Sequence, residues 1–267
     1  MKSVLEFQHK KQQGQKITMI TCYDYTSACI VEKTQADCVL VGDSAAMVMH
    51  GETNTIHASI EQMAMHTRSV AKGINNKLIV ADMPFLSYRK SLSETMEAVN
   101  TLLCAGAQAI KLEGVQGNLE TITHIVESGV PVMGHIGLTP QHIHTLGGFK
   151  VQGKGRQAQS MMIDQARLLE ASGCFSLVLE CIPMHLAKAI TEAVTIPTIG
   201  IGAGPDTDGQ VLVFHDLLGL QSTFKPKFVK SYLNGEALFV NSINQYVEEV
   251  QGEVFPSSDY AYQGDLE

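Results

Sequence analysis

The sequence predicts an α/β protein of the (β/α)8 TIM-barrel class, and three observations carry that expectation. Eight short runs are apolar nearly throughout, as strands covered on both faces of a parallel sheet must be. Segments of helical period separate most of them. Several of those segments stop at a glycine, as in Cys104-Ala105-Gly106, Glu127-Ser128-Gly129 and Ala171-Ser172-Gly173, where a left-handed residue ends a helix and turns the chain into the next strand.

In chain order the predicted strands are 17–21, 38–41, 78–81, 109–112, 132–134, 176–179, 198–201 and 211–214. Amphipathic periodicity places helices at 25–35, 60–72, 93–105, 119–128, 158–172 and 184–193, with further helix at 227–233 and 240–250. Eight such units in roughly 250 residues suit a closed barrel better than an open doubly wound sheet. Two connections are too long for the minimal unit, 42–59 after the second strand and 136–157 after the fifth. Both leave the carboxyl ends of strands, where barrel enzymes build their sites, so both are candidate lids or subunit contacts. The second contains Gly147, Gly148, Gly153 and Gly155 with Lys150, Lys154 and Arg156, a mobile and anion-friendly composition. No linker divides the chain. The expectation is a single domain over 1–267, with a short N-terminal extension and an acidic tail from about Glu253.

Composition narrows the partners. The 267 residues are 45% hydrophobic and 17% charged, which excludes disorder. No run approaches the roughly 18 apolar residues of a membrane helix, and the N-terminus lacks a signal-peptide core, so the expected location is cytoplasmic. The six cysteines form no CxxC pair and do not cluster with histidine, which reads as buried free thiols instead of a disulfide frame or zinc site. Of the net charge of −8, nearly all falls after Lys230, in Glu236, Glu248, Glu249, Glu253, Asp259, Asp265 and Glu267. An acidic chain without a basic stripe is a poor partner for nucleic acid or anionic membrane. A small-molecule site is expected.

The chemistry lies at strand ends. Five successive strands are followed or closed by an ionisable residue: Asp43, Asp82, Glu113, His135 and Glu180. Alternation puts Asp43 on the face of Val41, Asp82 on that of Val80, Glu113 on that of Lys111 and Glu180 on that of Val178. If those apolar partners fill the barrel, four carboxylates converge at its top and repel one another unless a cation holds them. Oxygen donors without thiolate favour Mg2+ over Zn2+, with Asp43, Asp82 and Glu113 as ligand candidates. Lys111 adds a fixed positive charge in the same space. Together these suit a substrate with a carboxylate beside a carbonyl, and Glu180, two strands further round, is free to act as a base.

Each residue also has a plainer reading. A lone strand-end acid commonly caps the next helix or meets solvent, but five on one face are not explained that way. Lys111 and Glu113 could form only a buried ion pair. His135, a candidate substrate contact, reads equally as a core histidine donating to a backbone carbonyl. Ser44 is either an N-cap or a substrate contact, and Tyr23-Asp24-Tyr25 reads first as a helix start. The turn Gly200-Ile201-Gly202-Ala203-Gly204 is a weak phosphate-site signal and lacks the spacing of a dinucleotide fingerprint.

Several motifs together resemble the ketopantoate hydroxymethyltransferase family: Thr21-Cys22-Tyr23-Asp24-Tyr25, Leu40-Val41-Gly42-Asp43-Ser44, Ala81-Asp82-Met83-Pro84-Phe85, Lys111-Leu112-Glu113-Gly114, Gly134-His135-Ile136-Gly137-Leu138-Thr139-Pro140-Gln141, Gly147-Gly148-Phe149-Lys150-Val151-Gln152-Gly153 and Glu180-Cys181-Ile182-Pro183, with the glycine turn at 200–204. They run in order from about Thr18 to Tyr232. The resemblance implies a barrel that transfers a hydroxymethyl group from 5,10-methylenetetrahydrofolate to 3-methyl-2-oxobutanoate. It implies Mg2+ at the positions of Asp43, Asp82 and Glu113, keto-acid contacts from Asp43, Ser44, Asp82 and Lys111, and Glu180 as proton acceptor. It further implies a homodecamer. The chain departs from the family's usual pattern at 50–57 and at Val115, which bears on lid and packing more than on chemistry. The alternatives are another Mg2+-dependent 2-oxo acid lyase or mutase of the phosphoenolpyruvate mutase type, and a non-catalytic binding barrel.

Overall fold

A computed structural model describes residues 1–221 and 226–264, and these divide into two compact units, 1–214 and 215–267. The first holds a closed barrel of eight parallel strands: β1 (Ile17–Thr21), β2 (Cys38–Val41), β3 (Leu78–Asp82), β4 (Ala109–Lys111), β5 (Val132–Gly137), β6 (Ser176–Glu180), β7 (Thr198–Ile201) and β8 (Gly209–Leu212). Strand β8 pairs with β1 and completes the ring.

Around it lie α2 (Tyr25–Glu32), α4 (Ile60–Gly73), α5 (Leu92–Cys104), α6 (Leu119–Glu127), α8 (Arg156–Ala171) and α9 (Met184–Ala193). Local chemistry sets their starts. Ser59 and Ser91 each accept from the backbone amide three residues on, while Gln62 and Glu94 return the bond, so α4 and α5 both open on a capping box. The long connections carry one-turn helices, α3 (Ala45–Val48) and α7 (Ile143–Leu146), and the 3-10 turns Thr55–His57 and Pro140–His142.

Alternate strand residues fill the barrel. Met19, Leu40, Val80, Met133, Val178 and Ile199 belong to one buried cluster. Val80 and Val178 therefore do line the interior, whereas on β2 the inward residue is Leu40 and not Val41. Gly42 continues that inward face, and a Cβ there would lie 2.8 Å from Ser44 Oγ and 3.6 Å from Asp82 Oδ2. The missing side chain leaves room for the polar groups above it.

A helix that periodicity does not reveal, α1 (Leu5–Gln12), supplies the barrel with a plug. Its one buried residue, Phe7, joins the interior cluster and meets the Phe175 ring edge-on at 5.2 Å. Lys11 bonds the carbonyls of Thr191, Val194 and Ile196 at 3.0–3.2 Å and pairs with Asp208 at 3.0 Å.

Several expected elements differ. The last strand lies two residues earlier than 211–214, because the chain after Leu212 turns into the short helix α10 (Phe214–Leu218). Residues 227–233 form turns, not helix. The second unit contains α11 (Gly235–Gln251), longer than the predicted 240–250, on which Leu238, Phe239, Ile243 and Tyr246 are exposed. Among the described residues no helix is long and apolar enough to cross a membrane, and all six cysteines are unpaired.

Candidate active site

The register of the strands brings the predicted residues together. Asp82 and Lys111 are Cα partners across β3 and β4, and their side chains form an ion pair of 3.1 Å. Glu113 follows two residues after Lys111 and lies 3.9 Å from the same ammonium. His135, on β5, places Nδ1 3.3 Å from Glu113 Oε1 and Nε2 3.2 Å from Glu180 Oε2. Asp43 lies beyond β2, and its backbone N–H donates to Asp82 Oδ2 at 3.0 Å.

The turn after β5 completes the frame. The Gln141 backbone N–H donates to Glu113 Oε2 at 3.0 Å. Its side-chain amide donates to Asp43 Oδ2 at 2.8 Å and to the Met83 carbonyl at 2.9 Å. The Tyr88 hydroxyl donates to Gln141 Oε1 at 2.6 Å. Gly137 lets the tip of β5 come close to β6: its φ is +99°, and a Cβ would lie 2.2 Å from the Glu180 carbonyl oxygen. That carbonyl accepts from Leu138 N–H at 2.8 Å, which fixes the base of the Glu180 side chain.

Burial separates the acids into two kinds. Asp43, Asp82, Glu113, Lys111 and His135 are nearly sealed, while the Glu180 side chain keeps 17% exposure. Burial, reinforced by the charges of Asp82 and Glu113, pushes the Asp43 carboxyl well above the ordinary carboxylate range. Burial raises Asp82 as well, against the opposing pull of Lys111. Glu113 meets the same burial, but His135 and Lys111 outweigh it and hold that carboxyl below its ordinary value. For Lys111, burial is overcome by the three carboxylates, which keep the ammonium charged. Burial and Lys111 act to lower His135, yet Glu113 and Glu180 lift it to about 9.

A hard divalent cation matches this chemistry. The donors are carboxylate oxygens, Asp43 is held uneasily as an anion, and the buried Asp82 Oδ1 meets the Lys111 ammonium at 3.1 Å. Among the described residues no group of three or more His, Cys, Asp or Glu side chains is arranged to hold a metal ion. Lys111 stands between Asp82 and Glu113 instead.

The remaining predicted residues also resolve. Ser44 precedes α3 but makes no side-chain cap; its Oγ hydrogen-bonds the Tyr23 hydroxyl at 2.8 Å, beside the acids. Asp24 does cap α2, accepting from Ser27 N–H at 2.9 Å. Tyr23 is thus a site neighbour as well as the residue before a helix start. His135 contacts side chains, not a backbone carbonyl. The glycine turn packs closely, with a Cβ at Gly204 meeting Met184 Cβ at 2.5 Å and one at Gly200 meeting Thr207 Oγ1 at 2.7 Å. Sequence reasoning missed Gln141 and Tyr88; the first was readable only as part of its motif, and the second carried no signal at all.

Residues 2–258 match the ketopantoate hydroxymethyltransferase family. The chain belongs to that family. A 3-methyl-2-oxobutanoate hydroxymethyltransferase of Francisella tularensis subsp. novicida is 55% identical over 98% of this chain and 99% of its own. One from Legionella pneumophila strain Paris is 54% identical over 96% and 98%. Among solved structures, phosphonopyruvate hydrolase with oxalate and Mg2+ aligns at TM-score 0.63 and 10% identity over 99% of this chain and 93% of that one. A 2,3-dimethylmalate lyase of the phosphoenolpyruvate mutase/isocitrate lyase superfamily aligns at 0.60 and 11%, over 98% and 92%. At such identities these neighbours speak for the barrel alone. The sequence relatives favour ketopantoate hydroxymethyltransferase over a mutase or a non-catalytic barrel.

Proposed function

We propose that the protein transfers a hydroxymethyl group from 5,10-methylenetetrahydrofolate to 3-methyl-2-oxobutanoate, giving 2-dehydropantoate and tetrahydrofolate with consumption of one water. The observation that carries the reading is the pairing of a sealed Asp43–Asp82–Glu113–Lys111 cluster with a more exposed Glu180 held by His135.

Asp43, Asp82 and Glu113 would hold Mg2+, which when bound draws electrons from the keto-acid carbonyl and acidifies C3–H. Lys111 balances the negative charge of the bound acid, and Ser44 Oγ, set by Tyr23, binds it from the β2 side. Glu180 takes the C3 proton onto a carboxylate oxygen, and C3 of the resulting enolate adds to the one-carbon unit of the folate in its iminium form, the C=N electron pair moving onto the folate nitrogen; water then takes that carbon as its bond to nitrogen breaks, so that tetrahydrofolate leaves and the product carries the hydroxymethyl group. His135 orients Glu180 through its Nε2 contact. The sealed walls around Lys111 exclude water from the enolate.

The same reading places the protein in the cytoplasm with small molecules as its partners. The exposed apolar residues of α11 support assembly between copies, consistent with the decamer that the family resemblance implies. Turnover measured with the keto acid and methylenetetrahydrofolate, with and without chelator, tests the proposal. Folate-dependent product that disappears on chelation is expected; product formed equally well with excess chelator overturns the metal, and none under any condition overturns the reaction.

A further inference from the structure

We propose that Gln141 is a positioning residue that restricts Asp43 and Glu113 to one-oxygen ligation and thereby sets the site's preference for Mg2+ over Ca2+. The inference rests on the reading of the three acids as the cation site.

Each acid has one oxygen taken by an N–H group. Gln141 supplies two of the three donors, its side-chain amide to Asp43 Oδ2 at 2.8 Å and its backbone N–H to Glu113 Oε2 at 3.0 Å; Asp43 N–H supplies the third, to Asp82 Oδ2 at 3.0 Å. The oxygens opposite, Asp82 Oδ1 and Glu113 Oε1, face Lys111 at 3.1 and 3.9 Å, and Glu113 Oε1 lies nearer still to His135 Nδ1, at 3.3 Å. A carboxylate bonded in this way offers a cation one oxygen and resists swinging round to offer two. Mg2+ demands near-octahedral, short, single-oxygen contacts, whereas Ca2+ readily takes a carboxylate through both oxygens.

The amide can do this because it has only one tenable orientation. Both side-chain N–H groups are used, on Asp43 Oδ2 and the Met83 carbonyl, and Oε1 accepts from the Tyr88 hydroxyl. A flipped amide would set its oxygen against a carboxylate and a carbonyl. Gln141 is 2% exposed and Tyr88 3%, so water does not compete for these bonds. Tyr88 therefore acts through Gln141, and Gln141 through Asp43 and Glu113.

The test is calorimetric titration of the full-length protein, free of substrate, with Mg2+ and separately with Ca2+. In Gln141→Met, which keeps the side-chain length and removes the amide, the ratio of the two affinities should move toward Ca2+ by about tenfold or more. A merely structural role would weaken both cations alike, so an unchanged ratio in folded protein overturns the proposal. Should that variant fail to fold by circular dichroism, Tyr88→Phe removes only the hydroxyl and should shift the ratio in the same direction by a few-fold; an unchanged ratio there overturns it equally. If the unsubstituted protein binds neither cation, the metal reading of the acids fails first and takes this inference with it.

Discussion

His135 Nε2 lies 3.2 Å from Glu180 Oε2, while the other nitrogen of the same ring faces Glu113 at 3.3 Å. One imidazole thus joins the sealed acids to the carboxylate that retains access to the barrel mouth. Glu180→Gln keeps the shape and removes the basic oxygen. Cation-dependent deuterium exchange at C3 of the keto acid, followed by proton NMR without folate, should fall by about 100- to 10,000-fold. Cation binding should persist. Normal exchange in this variant would remove Glu180 as the base.

Asp82→Ala should behave differently, because Asp82 both receives Asp43 N–H and pairs with Lys111. Affinity for Mg2+ and for the keto acid should drop together, each by about tenfold or more. An unchanged Mg2+ titration would refute its role as a ligand.

How much of this was legible in the sequence differs by residue. The eight strands, and the acids at their ends, could be read because parallel barrel strands are apolar on both faces and an interrupting charge therefore stands out. The inward face of β2 could not, since Leu40 and Val41 are equally apolar and only the register with β1 and β3 selects Leu40. Helix α1 escaped because it buries Phe7 alone, too little for any periodic signal. Residues 227–233 have helical spacing but only seven positions, too few to hold a helix without packing to support it. Tyr88 reaches the site from a loop 53 positions before Gln141, a contact that pattern cannot reveal.

Phe7→Ala would leave a cavity where the plug enters the barrel. The expected cost is about 3–5 kcal/mol, read from urea unfolding of the full chain. A loss under about 1 kcal/mol would mean that the interior closes over the gap and that Phe7 does not anchor α1.

His66, on α4, is 5% exposed; its Nδ1 bonds the Tyr23 carbonyl at 2.6 Å and its Nε2 meets His50 Nε2 at 2.8 Å. Burial holds its pKa below the ordinary histidine value. Below about pH 6.5 the unfolded chain therefore binds the extra proton and the folded one resists it. Stability from this group is fully present above that pH and declines as the pH falls toward the folded-state value, by at most about 1.4 kcal/mol per pH unit. Melting curves between pH 7.5 and 5.5 should show this decline, and His66→Gln should reduce it. Identical pH profiles for the two chains would contradict the assignment.

The arrangement of Phe7 and Lys11 has a practical bearing. The groups that fasten α1 and the acids that do the chemistry share no hydrogen bond or ion pair. Someone wishing to toughen this protein against heat could redesign the surface of the first dozen residues and their carbonyl anchors without altering any group to which the acids bond.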